Sequence, residues 1–389
     1  MSRFNPGIAA LAVGAFGIGM TEFAPMGLLP IIAGDLGVSV PVAGVLISAY
    51  AMGVVVGAPL MALTTGRMDR RTLLIGLAGI FTAGNLIAAV SGSYAVLMIA
   101  RVITAFNHGA FFGVGSVVAT SLVAPERKAG AVASMFMGLT IANLVGVPLV
   151  TFMGEQLGWR AAFWVIAGLG LVTMASLRLA LPALPPAAGG NALAELKVLT
   201  RGQVLGALAL TVVGSSAMFT VFSYIAPILK VETGASIGFV TAMLVTYGLG
   251  LTVGNWLGGR YAQRSVQRTL ILALAGMALV LCLFALVMPY RVPTALVVFL
   301  FGVASFALVP PLQVQVMDAA HDAPNLATSV NIGAFNLGNA LGAALGGAVI
   351  ASGLGYPAVA LAGAGTSLAG LAGLLVLLRA PRRGLGAQN

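Results

Sequence analysis

The stretch YAMGVVVGAPLMALTTGRMDRRTLLIGLA, Tyr50–Ala78, recurs in altered form 197 residues later as YGLGLTVGNWLGGRYAQRSVQRTLILALA, Tyr247–Ala275. Without a gap, 11 of the 29 aligned positions are identical. The same offset aligns LGWRAAFWVIAG (157–168) with LGYPAVALAGAG (354–365), and Pro30 with Pro227. One offset shared by three places predicts that the chain is a tandem duplication.

The composition of the chain predicts a membrane protein. Hydrophobic residues make up 60% of its 389 residues, charged residues only 7%, and the mean hydropathy is +1.07. Soluble domains carry about 25% charged residues. Apolar runs long enough to cross about 30 Å of hydrocarbon recur along the chain, and lipid offers no partner to unpaired backbone groups. The sequence therefore predicts an all-α membrane protein.

Twelve transmembrane helices are predicted, arranged as two six-helix bundles. The spans are 7–33, 42–64, 72–91, 95–122, 130–153, 161–181, 204–229, 237–259, 269–288, 293–316, 326–351 and 357–378. The predicted units are 1–181, a cytoplasmic linker at 182–203, and 204–389. Because six is even, both units enter the membrane in the same orientation, which suits alternating access to a site between them. Within the linker, NALAELKVL is predicted to form a short amphipathic helix on the membrane surface.

The basic residues predict the orientation. Positive residues accumulate on the cytoplasmic side of membrane proteins. One side holds 15 of the 19 Lys and Arg: Arg3, Arg67, Arg70, Arg71, Arg127, Lys128, Arg178, Lys197, Arg201, Arg260, Arg264, Arg268, Arg379, Arg382 and Arg383. The other side holds Arg160, Lys230 and Arg291. Both termini are therefore predicted to be cytoplasmic. The net charge of +10 follows from topology and lipid attraction, without a nucleic-acid partner.

One acid, one arginine and one histidine lie deep inside the predicted spans. Glu22 is the only acid there, and a charged carboxylate at the bilayer centre costs about 2.5–3.5 kcal/mol, so such residues usually have a function or a partner. Span 4 holds Arg101 and, two turns later, His108. At 1.5 Å per residue the three lie about 12–22 Å from the outer ends of their helices, so their depths overlap.

These three residues are predicted to couple transport to protons. Burial favours the neutral form of Glu22 and Arg101 favours the charged form, so opening or closing of a cavity would make the carboxyl bind or release a proton. His108 would relay or sense protons. Two alternatives remain. In one, Glu22 and Arg101 form a fixed structural ion pair; in the other, His108 only forms a hydrogen bond to a neighbouring helix.

Several segments resemble the major facilitator superfamily, and within it the bacterial twelve-span drug:proton antiporters, in a branch similar to arabinose-efflux-permease-like inner-membrane exporters. The resemblance covers essentially the whole chain. It rests on TEFAPMGLLP (21–30), YAMGVVVGAP (50–59), ARVITAFNHGAFFGVG (100–115), GLTIANLVGVP (138–148), GWRAAF (158–163) and NIGAFNLGNALG (331–342). It implies the fold of that superfamily and a substrate site between the two bundles.

The loop between spans 2 and 3 resembles the family motif G-x-L-x-D-R-x-G-R-R, which locks the cytoplasmic side while the outside is open. Its basic positions are matched by Arg67, Arg70 and Arg71, while Gly66 replaces the aspartate and Asp69 a glycine. We expect one of these arginines to pair instead with Asp318 or Asp322 before span 11. The alternative is that the arginines only set topology.

GLTIANLVGVP on span 5 resembles a degenerate form of the family's antiporter motif, with Gly138, Gly146 and Pro148 retained. In the family this motif accompanies export in exchange for protons. The substrate cavity is predicted to contain aromatic and amide side chains, which suit a ligand with apolar and polar parts. These are Phe23, Phe106, Asn107, Phe111, Asn143, Phe219, Phe222, Tyr224, Asn331, Asn336 and Asn339.

The resulting prediction is a multi-pass bacterial inner-membrane transporter that exports a small amphipathic or polar solute, such as a drug, sugar or nucleoside, in exchange for protons. The alternative is a facilitator or importer on the same fold without proton coupling. We expect no enzyme activity, because no HExxH, P-loop, Ser/His/Asp set or clustered acidic metal site is present. No cofactor is expected, and the predicted state is a monomer in the lipid bilayer.

Overall fold

The computed structural model describes residues 5–65, 68–124, 128–183, 198–320 and 324–379, and these residues contain twelve helices long and apolar enough to cross a membrane. We number the twelve spans α1–α12. Nine are single helices: α1 Pro6–Asp35, α2 Val40–Thr65, α3 Arg70–Ala89, α4 Tyr94–Ser121, α6 Trp159–Ala180, α8 Ile237–Ala262, α9 Val266–Val287, α11 Pro324–Ala351 and α12 Gly355–Arg379. The predicted all-α fold with twelve spans is confirmed.

The other three spans, α5, α7 and α10, each consist of two segments. Proline has no N–H, and its ring clashes with the carbonyl four residues earlier. Accordingly α5 (Lys128–Ile141, then Val147–Leu157) is interrupted by a π-turn at Ala142–Gly146, just before Pro148. The first segment of α7 (Gly202–Phe222) ends shortly before Pro227, and the second is Ile225–Glu232. The segments of α10, Arg291–Ala307 and Val309–Ala319, meet at Leu308, before two prolines.

Side-chain caps fix the helix ends on the side where the chain begins and ends, which we call the termini side; the opposite side is the far side. The Asn5 side chain accepts from the amides of Gly7 and Ile8 at the start of α1 and donates to the carbonyl of Leu122 at the end of α4. Asp69, which departs from the loop motif, caps α3 by accepting from the Thr72 amide at 2.9 Å. A carboxylate at a helix N-terminus is favourable for the helix dipole.

The packing of α2 on α4 is repeated by α8 on α10 at the sequence offset of 197. Gly53 faces Val102 and Ala105, and Gly250 faces the equivalent Phe299 and Gly302. A Cβ at Gly250 would lie 2.3 Å from the Phe299 carbonyl oxygen, so glycine is required for this close approach. We call α1–α6 the N-half and α7–α12 the C-half.

The two halves contact each other in the middle of the membrane and on the far side. Ser48 Oγ on α2 donates to the Ala340 carbonyl on α11 at 3.1 Å. On α8, Gly248 lies against the α5 backbone at Asn143 and Leu144. At the far side, Lys230 of α7 forms an ion pair with Glu155 of α5. The structure therefore has the two halves joined on the far side.

The residues of the predicted gate lie on the termini side. Arg67 and Asp322 fall outside the described residues, as do the linker residues 184–197, which include most of its predicted amphipathic helix. Arg71 donates to the carbonyl of Arg178 within the N-half. Within the described chain, no ion pair joins Arg70 or Arg71 to Asp318. Because the gate is expected to close when the far side opens, its pairing stays a prediction.

Candidate functional site

The structure brings Glu22 and His108 together inside the N-half. Glu22 lies on α1 and is 3% exposed, and His108 lies on α4 and is 4% exposed. A Glu22 carboxylate oxygen is 4.0 Å from His108 Nε2. This separation is longer than a hydrogen bond, and the two side chains form an ion pair there only when His108 is protonated.

Arg101 is anchored to α1 by a carbonyl that a proline leaves free. In a regular helix the amide of residue 25 would bond to the carbonyl of Thr21, but Pro25 has no N–H. Arg101 Nη1 donates to this Thr21 carbonyl at 2.6 Å. The guanidinium also lies 4.1 Å from the centroid of the Tyr50 ring, in a cation–π contact. A buried arginine is thus held by a helix backbone and an aromatic face.

Arg101 keeps hydrogen-bonding capacity that these contacts do not use. It is 1% exposed, and its Nε and Nη2 atoms have no hydrogen-bond partner among the described residues. Within the same residues, its nitrogens form no ion pair within 4.0 Å of the Glu22 carboxylate. The fixed Glu22–Arg101 ion pair that the sequence left open is therefore not formed in this conformation. Their charges interact across the cluster without direct contact.

Tyr50 completes this cluster, a position that was not predicted from the sequence. Its hydroxyl lies 3.1 Å from His108 Nδ1, a hydrogen bond whose direction depends on the imidazole tautomer. Tyr50 therefore contacts both His108 and the Arg101 guanidinium. The available signal was its identity with Tyr247 in the repeat, which placed two tyrosines at equivalent depths. We call Glu22, Tyr50, Arg101 and His108 the charged cluster.

The C-half has the same scaffold without the charges. At the offset of 197, Tyr247 donates to Ser305 Oγ at 3.2 Å, in the place of the Tyr50–His108 contact. Ser305 in turn donates to the Phe301 carbonyl. Phe219 occupies the position of Glu22, and Val298 that of Arg101. The charged cluster thus belongs to the N-half alone.

Aromatic side chains fill the contact between the halves next to Glu22. Phe23 of α1 stacks on Phe219 of α7, with ring centroids 6.3 Å apart, and meets Phe222 edge-on at 6.1 Å. Phe222 stacks on Tyr247 at 4.3 Å. Tyr224 donates to the Ala343 carbonyl of α11 and lies against Gly44 of α2. These four predicted cavity residues, Phe23, Phe219, Phe222 and Tyr224, are therefore neighbours at or beside the junction of the halves.

Buried amides supply polar groups on α5 and α11. Asn143 donates to the Leu139 carbonyl within the π-turn region, at the α5–α8 contact. On α11, Asn331 donates to Gln313 and Asn336 to the Ile332 carbonyl. Oδ1 of Asn331 and of Asn336, and both polar atoms of Asn339, have no partner among the described residues. Such unpaired buried amides are costly unless a ligand or water satisfies them.

Three predicted cavity residues lie elsewhere. Asn107 and Phe111 face the interior of the N-half, where they border a small void beside Gly14 and Phe81. Phe106 packs on Gly57 of α2. They therefore pack within the N-half in this structure, away from the junction with the C-half. Depth along α4 was readable from the sequence, but the rotation of the helix about its axis was not.

The residues of the antiporter-like motif hold α5 tightly against α1. A Cβ at Gly138 would lie 2.0 Å from the Ala12 carbonyl oxygen, and one at Gly146 would lie 2.8 Å from Met20 Cγ. Pro148 follows the π-turn. The glycines thus allow two helix backbones to touch next to the segment that carries Glu22.

Comparison with known proteins identifies the family. The model of the Major Facilitator Superfamily matches residues 11–325 and 208–389. This chain belongs to the major facilitator superfamily. The solved structure of the nucleoside transporter NupG, as a D323A mutant, has the same fold, with a TM-score of 0.76 at 14% identity over 96% of this chain and 99% of that one.

Three relatives are similar over most of their length. The inner membrane transport protein YdhP of Escherichia coli K12 is 53% identical over 385 residues, covering 98% of this chain and 97% of the relative. The putative transporter AraJ of the same strain is 37% identical, covering 97% and 96%. A chloramphenicol resistance protein of Streptomyces lividans is 36% identical, covering 85% and 86%. This superfamily member is therefore a multi-pass inner-membrane secondary transporter of a small solute, and not an enzyme.

Proposed function

We propose that this transporter exports a small amphipathic solute in exchange for protons, with both termini in the cytoplasm. The observation that carries the proposal is the charged cluster: a buried carboxylate, a histidine 4.0 Å away and a buried arginine, all on helices of one half. Intramembrane ionisable groups of this kind mark ion pathways and proton relays in transporters.

The proton site in this proposal is Glu22. Its burial favours the neutral acid, whereas the nearby positive charge of Arg101 favours the carboxylate. Arg101 on α4 donates to the carbonyl of Thr21, the residue before Glu22 on α1. Any shift of α1 against α4 therefore changes the relative stability of the neutral and charged forms of Glu22. His108, held by Tyr50, is the group positioned to pass a proton to or from the carboxyl.

The solute would bind beside this site, between the two halves. Support comes from the Phe23–Phe219–Phe222 cluster, which offers apolar area, and from the unpaired amides of α11, which offer donors and acceptors. A pocket of this kind suits a neutral molecule with aromatic or aliphatic and hydroxyl or amide parts. The chloramphenicol resistance protein among the relatives points to the same chemistry.

Alternating access would follow from rocking of two units, 1–181 and 204–389, joined by the linker 182–203. The present contacts between the halves close the far side. Opening of the far side would break the Lys230–Glu155 ion pair and bring the basic loop at Arg67, Arg70 and Arg71 to Asp318 or Asp322. Proton binding at Glu22 removes a buried negative charge and thereby shifts the equilibrium between the two conformations.

Purified protein in proteoliposomes with an imposed pH gradient tests the proposal. Radiolabelled chloramphenicol, a pentose and a nucleoside are the probes, and an enclosed pH-sensitive dye reports protons. We expect at least one probe to move against its own gradient while protons move the opposite way. Glu22→Gln should abolish gradient-driven accumulation, whereas Asp35→Asn, at the end of the same helix, should leave it intact. Accumulation by Glu22→Gln would refute the proton role.

The same experiment separates the proposal from a facilitator. A facilitator equilibrates the probe at any pH gradient and gives no dye signal. The exporter gives accumulation that follows the gradient, and its Glu22→Gln variant retains only exchange of labelled for unlabelled solute. The two functions therefore differ in the ratio of solute concentrations across the membrane, which does not depend on how much protein is inserted.

A further inference from the structure

A groove runs along the membrane-facing surface of the C-half between α8, α9 and α10. Its volume is about 320 Å³, and its lining is almost wholly apolar, including Leu257, Gly258 and Tyr261 of α8 and Leu272 and Gly276 of α9. Leu272 is 71% exposed and Tyr261 49% exposed, so the groove opens to the outside of the bundle. On a membrane-spanning surface this opening faces lipid.

At two positions that line this groove, the equivalent residues of the N-half have larger side chains. Gly258 corresponds to Met61, which packs against the hydrophobic core of the N-half. Val303, in the groove wall, corresponds to Phe106, whose ring lies 3.3 Å from the Cβ position of Gly57.

The groove has the length of one membrane leaflet. Along α9 its lining extends from Thr269, in the first turn on the termini side, to Val280. At 1.5 Å per residue this distance is about 16 Å. Half of a hydrocarbon core of about 30 Å is about 15 Å. An acyl chain of one leaflet therefore fits along it from end to end.

Three arginines stand at the termini-side mouth of this groove. Arg268 precedes Leu272 and Gly276 on one face of α9, at spacings of four residues. Arg264 lies over the ring of Tyr261, at 5.9 Å, and Arg260 over that of Trp256, at 5.4 Å. All three arginines are exposed, and none forms an ion pair with a carboxylate in the described part of the chain.

We propose that this groove binds an anionic phospholipid, with one acyl chain along α9 and the phosphate on Arg264 and Arg268. The shape selects an acyl chain, and the unpaired positive charge at the mouth selects an anionic headgroup over a zwitterionic one. Basic sites between transmembrane helices are suited to such headgroups, because arginine binds phosphate through several donors at once. This site is separate from the charged cluster and does not depend on the proposed proton coupling.

Native mass spectrometry of the purified transporter, titrated with phosphatidylglycerol or phosphatidylcholine of identical chains, tests the site. We expect the anionic lipid to bind roughly tenfold more tightly than the zwitterionic one. The double variant Arg264→Gln/Arg268→Gln should remove this preference. Arg178→Gln, an exposed arginine on the same membrane side of the N-half, should keep it. Equal affinities of the wild type for the two lipids would overturn the proposal.

Filling the groove tests the acyl-chain part. Gly276 lines the groove, and a Cβ added there has no heavy atom within 4 Å, so Gly276→Leu places its side chain in the groove. It should weaken binding of both lipids about equally. Gly79→Leu, at the equivalent N-half position, should not. Gly276→Ala serves if the leucine variant melts early. Unchanged affinity in a folded Gly276 variant, or an equal loss in Gly79→Leu, would show that the lipid lies elsewhere, and would leave the proposed export function untouched.

Discussion

The two halves of the molecule share one scaffold and differ in what it carries. Tyr50 and Tyr247 occupy equivalent places on α2 and α8, and both bond to the helix two further on in their half. In the N-half the partner is His108, near Glu22 and Arg101. In the C-half the partner is Ser305, and the equivalents of the two charged residues are Phe219 and Val298.

Packing residues are kept in both halves, whereas the ionisable residues of the charged cluster occur in one half. Glycine contacts between backbones, such as those of Gly53 and Gly250, are kept in both halves because the scaffold needs them. Ionisable groups are expensive in the membrane, and one set is sufficient to bind one proton. The C-half instead supplies aromatic and amide surface. In our account, protons act on one half and the solute bridges both.

The largest effect is expected at the position where the halves differ most in charge. For one proton exchanged, each pH unit supports at most about a tenfold solute ratio. Glu22→Gln should make this ratio independent of the pH gradient, because the amide binds no proton. Phe219→Leu, at the equivalent position of α7, should change the apparent KM for solute and keep the response to the gradient. Loss of coupling in both variants would argue against the assignment of proton binding to the N-half alone.

A second asymmetry is Pro25, whose equivalent in α7 is Phe222. Pro25→Ala supplies an amide to the Thr21 carbonyl and so competes with Arg101. We expect the pH dependence of transport to shift while the protein stays folded, because alanine is favoured over proline in a helix by about 3 kcal/mol. Pro30→Ala is the matched control, since the arginine does not contact the carbonyl it frees. A pH profile that moves equally in both variants would contradict the anchoring of Arg101.

Removing the two equivalent hydroxyls should have unequal effects. Tyr50→Phe leaves His108 Nδ1 without its partner, at a cost of about 1–3 kcal/mol of stability. Tyr247→Phe should cost less, because Ser305 keeps its bond to the Phe301 carbonyl. Thermal melting of both variants measures the costs, and the pH profile of transport should move only for Tyr50→Phe. Equal melting shifts with two unchanged profiles would mean that both tyrosines serve packing alone.

The smallest effect concerns the ion pair that joins the halves. The side chains of Lys230 and Glu155 are 28% and 13% exposed, and pairs of this kind contribute about 1 kcal/mol or less. Lys230→Gln should raise far-side opening up to about fivefold, read from spin-label distances across the far ends of α5 and α7. Charge exchange, Lys230→Glu with Glu155→Lys, should restore closure.

The Asp35–Arg160 pair provides a control on the same membrane side. It joins α1 to α6 within the N-half, with the nitrogen and oxygen 2.7 Å apart. Arg160→Gln should therefore leave the distances between the halves unchanged. If it opened the far side as much as Lys230→Gln did, the effect would reflect general loosening rather than a contact between the halves.

Much of the fold followed from sequence because hydrocarbon imposes simple rules. Span length and hydropathy predicted twelve helices, and the shared offset predicted the equivalent positions that the structure shows in contact with equivalent partners. The interruptions near Pro148 and Pro227 follow from the missing proline N–H, although their form as a π-turn and a two-residue break was not predicted.

Less of the site could be predicted, because depth is readable from a sequence and helix rotation is not. Glu22, Arg101 and His108 were expected to lie at overlapping depths, and the structure places them in one cluster. The link from Arg101 to the carbonyl freed by Pro25 depends on which way α1 faces. The same uncertainty explains why Asn107 and Phe111 were assigned to the cavity although they face the interior of the N-half.

Infrared difference spectroscopy observes the protonation of the Glu22 carboxyl itself. A protonated carboxylic acid has a C=O stretching band that the carboxylate lacks, so a titration of purified protein in lipid follows the proton without any substrate. The assignment of Glu22 as the proton site predicts one buried-acid band that disappears as the pH rises through the neutral range and is absent from Glu22→Gln. A band that persists in Glu22→Gln, or no titrating band in the wild type, would contradict it.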